Sequence, residues 1–190
     1  MKKGVNVIVL FVMLSAFMLA LVVIPIGIRQ FNYLAYGKCV SDTLRDIDIL
    51  LEQFKKAKSK TGFAVPVRVT DCIEEVVFTN KNWRVMAKGM KEVKCKDDAD
   101  AHVLIFKRDI SFWNAVKSGR EKVVAKLVAP DVVCRNIYDM YFNTLPGDRL
   151  EGPKKDSEIY YCLKFQVNPS QKYVDIYSWD VVSSKDKCVL

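Results

Sequence analysis

Six cysteines carry the one chemistry this sequence offers in quantity: Cys39, Cys72, Cys95, Cys134, Cys162 and Cys188. An even number of thiols scattered at wide intervals is the pattern of disulfides formed in an oxidising compartment. A structural zinc site needs ligands paired at short spacing. Here no two cysteines lie closer than 23 positions, and His102 is the only histidine. The six are therefore read as disulfide candidates, with 15 connectivities open among them. No metal or other cofactor is expected.

Other reactive groups are sparse. His102 opens an apolar run, His-Val-Leu-Ile-Phe, which reads as a strand-end or core histidine rather than a catalytic base. No GxSxG turn supplies a nucleophile for it. Asp97, Asp98 and Asp100 are the densest acidic cluster, but a calcium loop also needs a turn glycine and a distal glutamate. A solvated turn is the plainer expectation. Eight glycines include no GxGxxG or GxxxxGK[ST] cradle for phosphate. Asn168-Pro169-Ser170 is blocked as a glycosylation site by its proline. Tyr173, Tyr177 and Trp179, at period two in one strand, are a candidate aromatic binding face, to which Tyr138, Tyr141 and Phe142 could add. Such spacing also serves ordinary cross-strand packing. No catalytic residues are assigned, and an anchored enzyme ranks last among the functional readings.

The elements that position these residues start with residues 5–28, which hold no ionisable side chain. About 20 apolar residues of helix cross a bilayer core, and Asn6, Ser15, Pro25 and Gly27 interrupt this run only mildly. A cleaved secretory signal has an apolar region of about 7–15 residues ending at a small-x-small site. Cleavage near Ala16 to Ala20 would leave Leu21-Val22-Val23-Ile24 at the new terminus, so an uncleaved signal anchor is expected. Lys2 and Lys3 before the span and Arg29 and Lys38 after it nearly balance, so flanking charge does not orient the helix. The cysteines do: all six follow the span, which places residues 29–190 outside the cytoplasmic membrane and the N-terminus inside.

Beyond the span, Val40, Leu44, Ile47, Leu51 and Phe54 recur at spacings of 4, 3, 4 and 3, one face of an amphipathic helix. Asp42, Arg45, Asp46, Asp48, Glu52, Lys55 and Lys56 lie between them and are expected in water. Lysines in the last turns and Gly62 as C-terminal cap end the helix near residue 61. The period then changes to two. Strands are expected at 65–69, at the sheet edge because Pro66 lacks a donor, and at 72–78, 102–106, 159–167 and 173–179, the last two as a hairpin. Between Ile110 and Leu145 the pattern supports a helical turn or two at 110–116, a strand at 122–128 and a helix at 130–142 with Pro130 at its first position. The fold class is α+β: a transmembrane helix (5–28) after a short cytoplasmic N-terminus (1–4), an amphipathic connecting helix (29–61) and an antiparallel sheet domain (62–190).

The formal charge is +8, and +6 once Lys2 and Lys3 are set aside (28 basic against 22 acidic residues). Basic residues alternate with acidic and apolar ones, which gives a mixed solvated surface and no specific nucleic-acid site.

Lys2-Lys3-Gly4 ahead of a long hydrophobic helix resembles the class III signal of archaeal type IV pilins and archaellins. Pro25 late in the hydrophobic half-helix, the amphipathic half from Val40 to Phe54 and a disulfide-bearing β-rich head are similar to the same family. The resemblance implies processing between Gly4 and Val5 and packing of the helices into a surface filament. Val9 would then be the fifth residue of the mature chain, where many pilins carry the glutamate used in assembly. The chain is accordingly expected to be a single-pass membrane protein whose extracytoplasmic head binds a protein partner or a second copy. A pilin-like filament subunit is the alternative.

Overall fold

A computed structural model describes residues 7–57, 61–81, 85–87, 91–93, 95, 98–110, 113, 131–144, 149–154 and 157–190. The strand expected at 122–128 and the processing site at Gly4 and Val5 lie outside them, as does Asp97. The chain divides into two units, Met1–Gly37 and Lys38–Leu190.

Helix α1 runs unbroken over Val7–Lys56, with Pro25 inside it. In the first unit its large apolar side chains, from Val9 to Leu34, are exposed. Such a surface is costly in water, at roughly 25 cal/mol per Å² of apolar area, and favourable against lipid. Ser15 keeps its hydroxyl satisfied within the helix by donating to the Val12 carbonyl at 2.9 Å, which is what an apolar surrounding requires.

In the second unit the helix turns amphipathic and buries Val40, Ile47, Leu50, Leu51 and Phe54. The expected stripe is present but its phase is shifted: Leu44 is half-buried, while Thr43 and Asp46 are buried with Leu50. The helix stops at Lys56, with Lys55 and Lys56 in its last turn. Gly62, expected as its cap, instead lies inside strand β1 (Thr61–Thr70).

The strands that follow are β2 (Ile73–Asn80), β3 (Val85–Ala87), β4 (Lys91–Val93), β5 (Ala101–Lys107), β6 (Asp131–Ile137), β7 (Tyr141–Thr144), β8 (Arg149–Glu151), β9 (Glu158–Asn168) and β10 (Tyr173–Val182). One four-stranded sheet has the order β1-β9-β10-β7 and a second the order β6-β5-β2-β8; β3 and β4 form a hairpin. Pairing is antiparallel except between β7 and β10. The fold is α+β, with the helix packed on the sheets.

The helix expected at 130–142 is instead β6 and β7. Val132, Cys134 and Asn136 alternate with Val133, Arg135 and Ile137, a period-two pattern rich in β-branched residues that suits a strand. β5 is buried along both faces from Ala101 to Phe106 and pairs with β6 along its length. A buried strand must have its backbone donors and acceptors paired, and that demand overrides the helix-start signal of Pro130. At 110–116 helical backbone is present at Ile110 and Trp113, the Trp113 amide donating to the Asp109 carbonyl.

Phe54 of α1 joins the two sheets. It meets Phe165 of β9 edge-to-face at 4.8 Å and Phe142 of β7 at 6.3 Å, and Phe142 meets Phe78 of β2 at 5.6 Å. The far face of the second sheet presents Val77, Leu104 and Phe106, covered in part by Val93 and Cys95. Gly152 is held against the backbone of β2: its amide donates to the Glu74 carbonyl at 2.8 Å, and a Cβ there would lie 1.9 Å from the Ile73 carbonyl oxygen. Gly152→Ala should therefore destabilise the head by about 1–3 kcal/mol in denaturant unfolding. Gly62→Ala, whose Cβ would meet nothing nearer than 3.8 Å, should change stability much less.

Candidate functional site

β1 is an edge strand, paired to β9 on one side only. Its residues at alternate positions, Pro66, Arg68 and Thr70, turn their backbone nitrogens to the open side. Pro66 has no N–H to lose. Arg68 donates its amide to Asp46 Oδ2 at 3.1 Å and Thr70 donates its amide to Thr43 Oγ1 at 3.2 Å. Asp46 and Thr43 stand three residues apart on α1, one helical turn, so one helix face serves two successive edge donors. The Thr43 and Thr70 hydroxyls also meet at 3.0 Å, and Thr70 Oγ1 lies 3.0 Å from the Cys39 carbonyl.

Asp46, expected in water, is 1% exposed. Its Oδ1 faces Lys185 Nζ at 3.4 Å and its Oδ2 lies 4.0 Å from Arg68 Nε. Arg68 also reaches Asp42 at 3.3 Å and Glu158 at 3.4 Å. Burial opposes the charge on Arg68, but Asp42, Asp46 and Glu158 outweigh it and hold its pKa above the ordinary guanidinium value. Arg108 shows the opposite balance. Half-buried, with its guanidinium donating to the Asp71 carbonyl, it is pulled below the ordinary value by desolvation, which Glu74 and Asp71 only partly offset. On the other flank of the helix, Asp48 accepts two hydrogen bonds from Arg135 of β6, at 2.7 and 3.2 Å.

All six cysteines are paired: Cys39 with Cys72, Cys95 with Cys134, and Cys162 with Cys188. The Cα–Cα separations of 6.1, 6.1 and 5.1 Å suit disulfides. One bridge ties α1 to the turn between β1 and β2. A second ties the segment after β4 to β6, and the third ties the C-terminal tail to β9. Cys39, Cys72 and Asp71 cluster closely enough to suggest a metal site, but both sulfurs are consumed by their bridge, which leaves a single carboxylate.

The other residues singled out in the sequence are dispersed. His102 is buried in β5, Nδ1 lying 3.0 Å from the Asn136 amide oxygen across the strand pair. Asp98 pairs with Lys81, and Lys81 holds its carboxyl below the usual range. Asp100 accepts the Asp139 amide at 2.7 Å. The three aromatics of β10 do not share a face. A bulge at Tyr177 shifts the register, so Tyr173 opposes Asn168 while Trp179 opposes Leu163, a core position. Tyr173 instead neighbours Tyr141 at 6.3 Å, and Phe142 is core.

No protein-family model matches the chain, and no curated protein or solved structure matches it either. Its function must be read from its own features. Among the described residues one helix is long and apolar enough to cross a membrane, with none of its most apolar window buried. The remainder is an α+β domain with three disulfides. This combination marks a membrane-anchored or extracellular domain.

Unreduced, denatured protein should show no free thiols, and its peptide map should give Cys39–Cys72, Cys95–Cys134 and Cys162–Cys188. Removing one bridge should cost about 2–5 kcal/mol. Asp46→Ala, which leaves the Arg68 edge amide without its acceptor and removes a carboxylate from beside Arg68 and Lys185, should cost roughly 2–4 kcal/mol. Asp48→Ala, two residues away but half-exposed in its ion pair, should cost under about 1 kcal/mol.

Proposed function

We propose that this chain is a single-pass membrane protein whose helix holds a disulfide-bonded interaction head on the outer face of the cytoplasmic membrane. The observation that carries this reading is the change of character along one helix. The apolar side chains of α1 are exposed through Leu34, whereas from Val40 its apolar face is buried in the head. Lipid is the solvent that suits the first part, and an oxidising compartment suits the bridges of the second. In this reading the head acts by binding a protein partner or a second copy.

A second reading is a pilin-like surface filament subunit processed after Gly4. It is favoured by the unbroken passage of α1 from its exposed apolar half into its head-packed half. In that case the apolar halves would pack against one another outside the membrane.

The test is extraction and proteolysis on intact cells. The anchored reading expects the protein to stay with the membrane after alkaline carbonate, and external protease to reach the head without permeabilisation. Release by carbonate, or a head cut only after permeabilisation, would contradict it. A mature N-terminus at Val5 together with recovery in sheared fibres would turn the assignment to the filament subunit.

A further inference from the structure

The sheet β1-β9-β10-β7 has two edges, and they are closed to different extents. At β1 the outward donor is missing at Pro66 and is taken by Asp46 and Thr43 at Arg68 and Thr70. At the other edge β7 lies beside β10 only from Tyr173 to Asp175, although β10 continues to Val182. The register fixes where the backbone groups of β10 point beyond β7. Pro66 and Arg68, whose nitrogens turn away from β9, stand opposite Cys162 and Tyr160. Directly opposed residues of an antiparallel pair either bond each other or turn away together. Cys162 and Tyr160 therefore turn toward β10, where they bond Asp180 and Val182. Trp179 and Val181 are left with their N–H and C=O groups on the open side. Among the described residues those groups have no hydrogen-bond partner. Val181 is 67% exposed, and β10 carries neither the proline nor the lysine that commonly guards a strand edge.

We propose that this edge is a self-association site, at which β10 pairs antiparallel with β10 of a second copy about a twofold axis at Asp180. The occupant is a second copy because the edge complements itself. The two outward residues lie symmetrically about Asp180, so the twofold sets Trp179 opposite Val181 of the second copy. Both donors and both acceptors of each copy are then satisfied without reaching the bulge at Tyr177. The cross-strand pair is an aromatic against a β-branched side chain, a favourable combination, and it covers Val181. Asp180 meets Asp180 of the second copy, an opposition of like charges that weakens pairing. Each carboxylate has Lys164 at 3.2 Å, so two ammonium groups bracket the two acids. The inference rests on the reading of the head as an interaction module and commits it to one partner.

The test combines sedimentation and amide hydrogen exchange on the full chain in detergent micelles. The wild type should form dimers, with the Trp179 and Val181 amides protected in concentrated protein and released on dilution. The Asp180 and Val182 amides face β9 and should stay protected at both concentrations, which reports that the head is folded. Val181→Pro has no outward donor but keeps the β9 ladder, and should raise the dimer Kd roughly tenfold or more. Val181→Lys, which sets a charge on the edge without altering the backbone, should weaken the dimer in the same direction and serves if Val181→Pro loses the Asp180 protection. Asp180→Asn should tighten the dimer. Free exchange of Trp179 and Val181 in concentrated protein would overturn this interface. The anchored interaction head would still stand, because carbonate extraction and external protease test it separately. A dimer that neither Val181 variant weakens would place self-association elsewhere and also overturn the proposal. Loosening by Asp180→Asn would overturn the register about Asp180.

Discussion

The open edge of β1 is the constraint on which the head is organised. A strand that closes a sheet leaves alternate backbone donors without a partner, and each buried orphan costs about 1–3 kcal/mol. At Pro66 the donor is absent, and at Arg68 and Thr70 it is taken by Asp46 and Thr43 of α1. This fixes the phase of the helix. With Asp46 turned to β1, Ile47 points into the core and Asp48 emerges on the other flank, where Arg135 of β6 holds it. The helix thus closes the space between the edge strands of both sheets, and Phe54 brings their aromatic side chains together about two turns after Asp46.

The same helix changes character along its length. Residues 9–34 expose apolar side chains suited to lipid, and from Val40 the helix supplies core residues to the head. The Cys39–Cys72 bridge sits where the head's part of the helix begins, beside the Thr43–Thr70 contact. Cross-linking there limits the unfolded chain most where fraying of the helix would otherwise open the β1 edge. The other two bridges fasten the segment covering the second sheet and the C-terminal tail, whose Lys185 also reaches Asp46. Each disulfide therefore secures a piece that the central strands do not hold through backbone pairing.

Much of this was legible in the sequence because it depends on local pattern. The apolar run, the amphipathic stripe, the edge strand marked by Pro66, the buried run from His102 to Phe106 and the C-terminal hairpin all follow from periodicity. What periodicity missed was set by distant partners. Asp46 reads as a surface residue until an edge amide 22 positions away needs an acceptor. Residues 131–137 read as helix after Pro130 until the buried edge of β5 needs a strand. The bulge at Tyr177 moves Trp179 to the other face of β10, and no local signal announces it. Gly152 gives no hint that the Ile73 carbonyl occupies the place of its side chain. The pairing of the cysteines, each with its neighbour in sequence, was one of 15 choices.

The central claim is that the helix that carries the exposed apolar run also completes the head by capping β1. Hydrogen exchange of the Arg68 and Thr70 amides in the full chain, in detergent or nanodiscs, tests it most directly. The account predicts protection close to that of Val67 and Val69, which lie on the β9 side of the strand, and its loss at Arg68 in Asp46→Ala. Exchange of both amides at rates typical of exposed loops in the wild-type protein would contradict it.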